Sequence, residues 1–250
     1  MTDLSINLNK IGLIRNSREG NYPDILEHAK VCIDNGADGI TIHPRPDQRH
    51  IRPDDVRQLA KLTRSNSELE LNVEGNPFAK AEQGYPGFME LVEETKPDQC
   101  TLVPDSNDQL TSDHGFDIKS YAHNLAPIIS RLKNLDVRVS LFMDPDIEQI
   151  KLAAELGIDR IELYTGPYAA AWGSESLEPI FLCHQRAASL CKSLGIGVNA
   201  GHDLNLKNLH QFSSIENLLE VSIGHAFIVD SISMGMASAV KAYKKLLNQG

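Results

Sequence analysis

The sequence lacks several patterns that would each assign it to a particular class of protein. No apolar run approaches the ~18 residues that a membrane-spanning helix needs. No G-x-G-x-x-G follows a strand and no P-loop motif is present, so the sequence does not indicate a nucleotide cofactor. The formal net charge is −10, which argues against general binding to nucleic acid or to anionic membranes, because both need a basic surface. We therefore expect neither nucleic acid nor membrane as a partner.

Cysteine is scarce, and no C-x-x-C pair occurs. The four cysteines are Cys32, Cys100, Cys183 and Cys191. Each lies in an apolar or helical context, which is typical of a reduced and buried thiol. Residues 1–5 contain no basic segment followed by an apolar stretch, so no secretory leader is indicated. We expect a cytoplasmic protein with structural cysteines.

The sequence does contain a repeat of short β-rich runs and longer helical segments. With 250 residues, of which 41% are hydrophobic, the chain has the length of a single (β/α)8 barrel. Strands are predicted over residues 4–8, 39–43, 69–73, 99–103, 137–143, 160–165, 197–200 and 220–223. No linker divides the chain. We therefore predict the α/β class, with one TIM-barrel domain over residues 1–250.

Polar and ionisable side chains recur on these strands and at their carboxyl ends, the face that carries the active site in this fold. In chain order they are Asn7, Asn9, Lys10, His43, Glu70, Glu162, His202 and His225, the last of which follows Gly224. Their positions predict an active site at the carboxyl end of the barrel.

Two anion-binding sites are predicted within this face. Arg45 and Arg49 follow the second strand and have forked donors that suit phosphate or carboxylate, and His50 adds an imidazole. The alternative for both arginines is a surface ion pair with neighbouring aspartates. Gly201 and Gly224 lie after strands seven and eight, where backbone N–H groups usually bind phosphate in this fold.

Glutamates on two strands are candidate bases. Alternation over residues 68–74 places Glu70 on the polar face of the third strand, and Glu162 has a similar setting on the sixth. A carboxylate held inside a barrel should have a raised pKa, which would make it a usable base near neutral pH. The alternative is pairing with a lysine or arginine at the barrel mouth.

The first strand argues against a metal. Barrels that hold two metal ions normally have two histidines on this strand, and here Asn7 and Asn9 occupy it. We expect neither a metal nor an organic cofactor.

In order along the chain, several blocks resemble the pyridoxine 5'-phosphate synthase family. They are residues 7–11, 15–18, 36–43, 45, 49–51, 96–97, 102–104, 199–202 and 223–226. The resemblance implies condensation of 1-deoxy-D-xylulose 5-phosphate with 3-amino-2-oxopropyl phosphate, with release of inorganic phosphate and water and without a cofactor. It also implies a homo-oligomer, an octamer in this family.

The resemblance implies a role for each site residue. His43 and Glu70 would act as bases, His202 would donate a proton, and Glu162 would stabilise charged intermediates. The residues implied for the deoxyxylulose phosphate are Arg45, His50 and Thr111. Those implied for the amino-ketone phosphate are Asn7, Arg18, Asp203, Gly224 and His225.

Three positions depart from the family pattern. Asn9 and Lys10 stand where many members have Asp-His; the amide can still hydrogen-bond a hydroxyl, and the ammonium can pair with phosphate. Asp203 stands where a glycine is common. This change keeps ligand binding intact if the position binds through its backbone N–H group. If the position needs φ above zero, Asp is one of the few residues with a side chain that adopts this backbone conformation. Residues 229–231 replace a Gly-Arg-small sequence near the second phosphate site.

Two other functions remain open from the residues alone. One is a metal-independent aldolase or epimerase acting on a single sugar phosphate, and the other is a barrel that only binds a phosphorylated ligand. The long polar segment 104–117 is predicted to close over the substrate.

Overall fold

Eight parallel strands close into a barrel in the computed structural model, which describes residues 2–248. They are β1 (Asp3–Asn7), β2 (Gly39–Ile42), β3 (Glu70–Gly75), β4 (Gln99–Leu102), β5 (Arg138–Met143), β6 (Arg160–Leu163), β7 (Gly197–Ala200) and β8 (Leu218–Ile223). Each strand pairs with the next along the chain, and β8 closes onto β1. The predicted (β/α)8 barrel is confirmed. Met1, Gln249 and Gly250, which the predicted domain includes, lie outside the described residues.

Helices cover the outside of the barrel. Within residues 2–248 they are α1 (Asn9–Asn16), α2 (Ile25–Asp34), α3 (Pro53–Arg64), α4 (Phe88–Thr95), α5 (Ile118–Lys133), α6 (Ile147–Glu155), α7 (Gly166–Ala170), α8 (Leu177–Ser193), α9 (Leu209–Phe212), α10 (His225–Met234) and α11 (Met236–Leu247). Local signals start several of them. Asp146 caps α6 by accepting hydrogen bonds from two backbone N–H groups, and α3 begins at Pro53 with acidic residues in its first turn.

The apolar core lies between the strands and the helices. On β3, Leu71 and Val73 are fully buried against this layer, and the alternate residues point into the barrel. The same alternation on the other strands gives one continuous apolar shell around the sheet. The inward positions are thereby left to polar side chains.

Hydrogen bonds between strands fill the interior of the barrel. Thr101 donates to Asn72 at 3.0 Å, and Asn199 donates to both Gln99 and Glu220 at 3.2 Å. Barrels of this type are usually filled by branched apolar residues. A polar interior instead connects the two ends of this barrel through buried titratable groups.

Three of the four cysteines are buried free thiols, as predicted, but Cys183 is exposed on α8. Burial raises the pKa of Cys32 to about 12. In the part of the chain that the structure describes, no helix has both the length and the apolar character needed to cross a membrane.

Candidate active site

A cavity of about 330 Å³ opens at the carboxyl ends of the strands. All predicted site residues line it except Glu70, Arg18 and Gly201. The predicted residues in its wall are Asn7, Asn9, Lys10, His43, Arg45, Arg49, His50, Thr111, Glu162, His202, Asp203, Gly224 and His225. Segments far apart in sequence meet here because parallel strands place all their carboxyl ends at one face.

Glu70 lies at the other end of the barrel. It is the first residue of β3 and lines a smaller cavity of about 130 Å³. Partial burial acts to raise the pKa of Glu70, but hydrogen bonds from Arg138 and the charge of that guanidinium outweigh burial, and the pKa is lowered. The predicted position at the active-site face and the predicted raised pKa are therefore wrong. Alternation sets which face of a strand a residue occupies, but not its depth in the barrel.

A second glutamate of β3, Glu74, lines the active-site cavity. Its Oε2 lies 4.0 Å from Nδ1 of His43. Burial raises the pKa of Glu74 well above its ordinary value, and the nearby carboxyl groups of Glu162 and Glu220 raise it further. Glu74 was not predicted as a site residue, because the predicted strand ended one residue before it.

Two more carboxyl groups are buried inside the barrel. Burial and the neighbouring Glu220 raise the pKa of Glu162 to about 8, and burial raises the pKa of Glu220 to about 7. Asn199, on the strand between them, donates a hydrogen bond to Glu220. Glu162 can therefore hold or release a proton near neutral pH, as expected of a group that acts on charged intermediates.

His43 is buried between two carboxylates. Glu74 faces its Nδ1, and Oδ2 of Asp105 lies 3.9 Å from its Nε2. Burial and the charge of Arg45 hold the pKa of His43 well below its usual value. Its backbone N–H donates to Oδ1 of Asn9 at 2.8 Å, which fixes the end of β2 against the first loop. His43 is therefore a neutral imidazole that can accept a proton.

Arg45 has a free donor edge. Its Nη2 pairs with Asp105, whose Oδ2 also accepts a hydrogen bond from Ser112 at 2.8 Å. Within residues 2–248, Nε of Arg45 and Oδ1 of Asp105 are buried without a hydrogen-bond partner. Such orphaned groups are rare in proteins, and an anion in the cavity would satisfy the guanidinium. The sequence predicts Asp105 only as part of the loop 104–117 and not as a site residue.

His50 completes this end of the cavity. Its Nδ1 accepts a hydrogen bond from the N–H of Ile51 at 3.0 Å, which leaves Nε2 as the donor. Burial and the charge of Arg45 lower the pKa of His50 to about 3. The buried Arg15 holds the segment by donating to the carbonyl oxygen of His50 at 2.8 Å while paired with Asp55. Arg15 on α1 therefore positions the His50 segment without lining the cavity itself.

The amino terminus of α10 forms the other end of the cavity. Gly224 precedes the helix, and His225 is its first residue. A side chain at Gly224 would place its Cβ 3.2 Å from Cβ of Asn7, closer than ordinary packing allows. Ser222 contributes a buried Oγ that has no partner among the described residues. Free N–H groups at a helix start favour an anion there.

His202 faces the cavity from the loop after β7. Its Nε2 lies 2.9 Å from Oγ1 of Thr111, which belongs to the loop after β4. Asp203 has φ of +65°, so this position does adopt the left-handed backbone that Asp tolerates. Lys10 lines the same part of the cavity.

Arg18 and residues 229–231 lie outside the cavity. Arg18 is exposed in the turn after α1, where it contributes nothing to the cavity wall. On α10, Val229 is half exposed, while Oδ2 of Asp230 accepts a hydrogen bond from Tyr243 at 2.6 Å. Residues 229–231 of this chain therefore contribute nothing to the cavity wall.

Arg49 holds the loop of residues 105–115 over the cavity. Its Nη1 donates to the carbonyl oxygen of Gln109 at 2.8 Å, and its Nη2 donates to that of Asn107 at 2.7 Å. Its Nε pairs with Asp47 at 2.6 Å. Arg49 therefore forms the ion pair with an aspartate that was the alternative to anion binding, and it also contacts the loop.

The cavity combines anion-binding groups with proton-exchanging groups. Guanidinium groups lie at one end and a helix amino terminus at the other, and the imidazole of His43 and the carboxyl group of Glu162, both with shifted pKa, line the same cavity. This arrangement suits proton transfers on a ligand that is anionic at both ends. Among the residues described, no group of three or more His, Cys, Asp or Glu side chains has the arrangement of a metal site.

Comparison with known proteins identifies the family. Residues 4–249 match the model of the family described as "Pyridoxal phosphate biosynthesis protein PdxJ". The chain belongs to this family. It is 50% identical over 250 residues to "Pyridoxine 5'-phosphate synthase" of Xanthomonas axonopodis pv. citri (strain 306), covering 100% of this chain and 98% of that protein. The resemblance seen in the sequence is confirmed, and the protein is an enzyme of vitamin B6 biosynthesis.

A second relative and a solved structure extend this result. "Pyridoxine 5'-phosphate synthase" of Xylella fastidiosa (strain M23) is 48% identical over 248 residues, covering 99% of this chain and 95% of that protein. The structure of 3-keto-L-gulonate-6-phosphate decarboxylase from Vibrio cholerae has a TM-score of 0.65 at 12% identity, covering 99% and 98% of the two chains. At that identity the likeness supports the barrel fold alone.

Proposed function

We propose that this protein is a pyridoxine 5'-phosphate synthase that condenses 1-deoxy-D-xylulose 5-phosphate with 3-amino-2-oxopropyl phosphate. The products are pyridoxine 5'-phosphate, inorganic phosphate and water. The observation that carries the proposal is one cavity with an anion-binding group at each end and proton-exchanging side chains between them. Both substrates are phosphate esters, and joining them requires a series of proton transfers.

The deoxyxylulose phosphate binds at the Arg45 end of the cavity. The free Nε edge of Arg45 donates to the phosphate, and Nε2 of His50 is the second donor. Thr111, on the loop above, adds a hydroxyl group. A charge-assisted bond from a buried guanidinium is both strong and directional, which supports this end of the cavity as a phosphate site.

The amino-ketone phosphate binds at the amino terminus of α10. Backbone N–H groups at Gly224 and His225 are available there, and Asn7 packs directly against the turn. Lys10 lies in the same cavity and supplies a mobile positive charge where the family commonly has histidine. This end thus depends mainly on backbone donors, which fits a phosphate that is held without a fixed guanidinium.

The proton transfers are carried by the groups between the two phosphates. Neutral His43 accepts a proton, with Glu74 in the role that the family resemblance implies for Glu70. His202 donates a proton from the opposite wall, and Glu162 stabilises cationic intermediates by releasing its own proton. Imine formation, water loss and ring closure each need such an exchange near neutral pH.

The test is an assay of purified, chelator-treated protein with both substrates, following pyridoxine 5'-phosphate and inorganic phosphate together. We expect both products in a one-to-one ratio, and none when either substrate is omitted. Turnover of one sugar phosphate alone would favour the aldolase or epimerase alternative. Tight binding of both substrates without product would favour the alternative in which the barrel only binds its ligand.

We also propose a cytoplasmic homo-oligomer, with the octamer of the family as the expected state. Exposed apolar side chains on adjacent helices support an interface between copies: Leu13 and Ile14 on α1, and Val229 and Ile232 on α10. Light scattering should give a mass that is a multiple of the 27.6 kDa chain. A monomer at micromolar concentration would contradict the proposal.

A further inference from the structure

Asp203 lies directly beside the proposed proton donor. Its Oδ2 is 3.1 Å from Nδ1 of His202. That ring nitrogen is buried, and within residues 2–248 it has no hydrogen bond of good geometry, so the Asp203 carboxylate is an ion-pair neighbour at hydrogen-bonding distance. The glycine common at this position has no side chain to offer.

Aromatic side chains pack around the His202 ring. The ring meets Tyr164 edge to face at a centroid distance of 5.3 Å, and Phe142 lies 6.4 Å away on the same wall. The opposite nitrogen, Nε2, faces Thr111 and the cavity. The partner of Nδ1 therefore decides which nitrogen is protonated when the imidazole is neutral.

The charges around Asp203 keep its carboxyl group ionised. The contact with His202 lowers the pKa of Asp203, and the nearby His225 and Lys10 lower it further. Tyr164 contributes a phenol, and burial raises its pKa, so it stays neutral. Lys10, which also departs from the family pattern, supplies positive charge on the side of the cavity where the second phosphate is proposed to bind.

We propose that Asp203 is a positioning residue for His202. Its carboxylate accepts the Nδ1–H of the imidazole, directs Nε2 towards the cavity, and stabilises the imidazolium from which the proton is donated. This inference rests on the proposed role of His202 and adds to it a carboxylate–imidazole pair in a position where the family commonly has glycine. The same arrangement orients the catalytic histidine of serine proteases.

The first test is the protonation pattern of the ring in the unliganded protein. Nitrogen-15 NMR of labelled protein, with the His202 signal assigned by its loss in His202→Asn, reports which nitrogen carries the proton. We expect Nδ1–H in the wild type and a shift towards Nε2–H in Asp203→Gly, which suits the positive φ and keeps the backbone N–H. Asp203→Asn should keep Nδ1–H, because its amide oxygen still accepts a hydrogen bond. An unchanged pattern in Asp203→Gly would overturn the proposal.

The second test separates positioning from binding. For a half-exposed carboxylate we expect kcat of Asp203→Gly to fall about tenfold, with both KM values within about twofold of the wild type. Asp203→Asn should recover part of kcat. A change confined to KM would assign Asp203 to substrate binding and contradict the proposal. Because the NMR measurement needs no turnover, it tests the pairing even if the proposed reaction were wrong.

A matched control removes a neighbouring charge without removing the contact. Lys10→Gln deletes the ammonium that lies near Asp203 but leaves the carboxylate beside Nδ1. We expect the Nδ1–H pattern of His202 to persist in this variant. Loss of the pattern there would mean that the general field of the cavity, and not Asp203, sets the position of the proton.

Discussion

Glu162 carries a buried carboxyl group whose ionisation opposes folding. Burial and Glu220 raise its pKa to about 8, from an ordinary value near 4.5 in the unfolded chain. Between these two pKa values the folded protein retains a proton that the unfolded chain has lost, so this group reduces stability as pH rises through that window. The effect is absent below about pH 4.5 and complete above about pH 8.

Glu162→Gln should remove this pH dependence. We expect the free energy of unfolding of the variant, relative to the wild type, to increase between pH 5 and pH 8 by roughly 2–4 kcal/mol. Denaturant titrations of both proteins across this range provide the measurement. A difference that is constant with pH would mean that Glu162 has an ordinary pKa in the folded protein.

Arg45 provides a prediction on substrate affinity. Arg45→Lys keeps a positive charge near Asp105 but loses the free Nε edge. We expect KM for deoxyxylulose phosphate to rise about 10- to 100-fold, as loss of a charge-assisted hydrogen bond implies, with little change in KM for the amino-ketone phosphate. Equal effects on both KM values, measured by varying each substrate in turn, would contradict the assignment of this end.

Residue types could be predicted from the sequence better than their depth in the barrel. His43, Arg45, His50 and His202 all line the cavity as predicted, because each lies in a segment that follows the carboxyl end of a strand. The prediction for Glu70 is wrong because alternation places Glu70 and Glu74 on the same face of β3. Only the observed end of the strand shows that Glu74, and not Glu70, lies at the carboxyl end of the barrel. Asp105 can be assigned to the site only from the structure, through its contacts with Arg45 and Ser112.

At the scale of elements, the turn before α10 makes a prediction of its own. Gly224 has φ of −116°, which any residue adopts, so only the close approach to Asn7 requires glycine. Gly224→Ala should shift the start of α10 and raise KM for the amino-ketone phosphate about tenfold, as overpacking implies. KM for deoxyxylulose phosphate serves as the internal control. No change in either KM would place the second phosphate elsewhere.

The loop of residues 105–115 makes a second prediction at this scale. Arg49→Ala removes the two hydrogen bonds that Arg49 donates to the loop, at Asn107 and Gln109. We expect faster proteolytic cleavage within 105–115 in the variant, and slower cleavage of the wild type when both substrates are bound. Equal cleavage in the free and bound wild type would argue against closure of the predicted lid.

The predicted strands agree with the structure to within two residues at every end. Their apolar residues face the helices and so repeat regularly along the sequence. The largest errors at carboxyl ends are two residues, at β3 and β6. Strand β3 continues to Gly75, whose carbonyl oxygen accepts a backbone hydrogen bond from Val103 in the segment after β4. The short helices α7 and α9 were not predicted, because each is only one turn within a loop.

At the scale of the whole molecule, the barrel has two polar ends with different chemistry. At the amino-terminal end, carboxylates pair with guanidinium groups, as Glu70 does with Arg138. At the carboxyl end, Arg45 pairs with Asp105, but Glu74 forms no ion pair with a guanidinium group among the described residues, and burial shifts the pKa values of Glu74 and His43. The first arrangement stabilises the barrel, and the second leaves protons free to move.

The most direct test compares two glutamates of β3 that lie at opposite ends of the barrel. Glu74→Gln should lower kcat of pyridoxine 5'-phosphate formation by about 100-fold or more, because it removes a proton-exchanging group from the cavity. Glu70→Gln should keep kcat within about threefold and cost about 1 kcal/mol of stability, since Arg138 keeps its hydrogen bond to Gln99. A large loss of kcat in Glu70→Gln with an active Glu74→Gln would contradict the account.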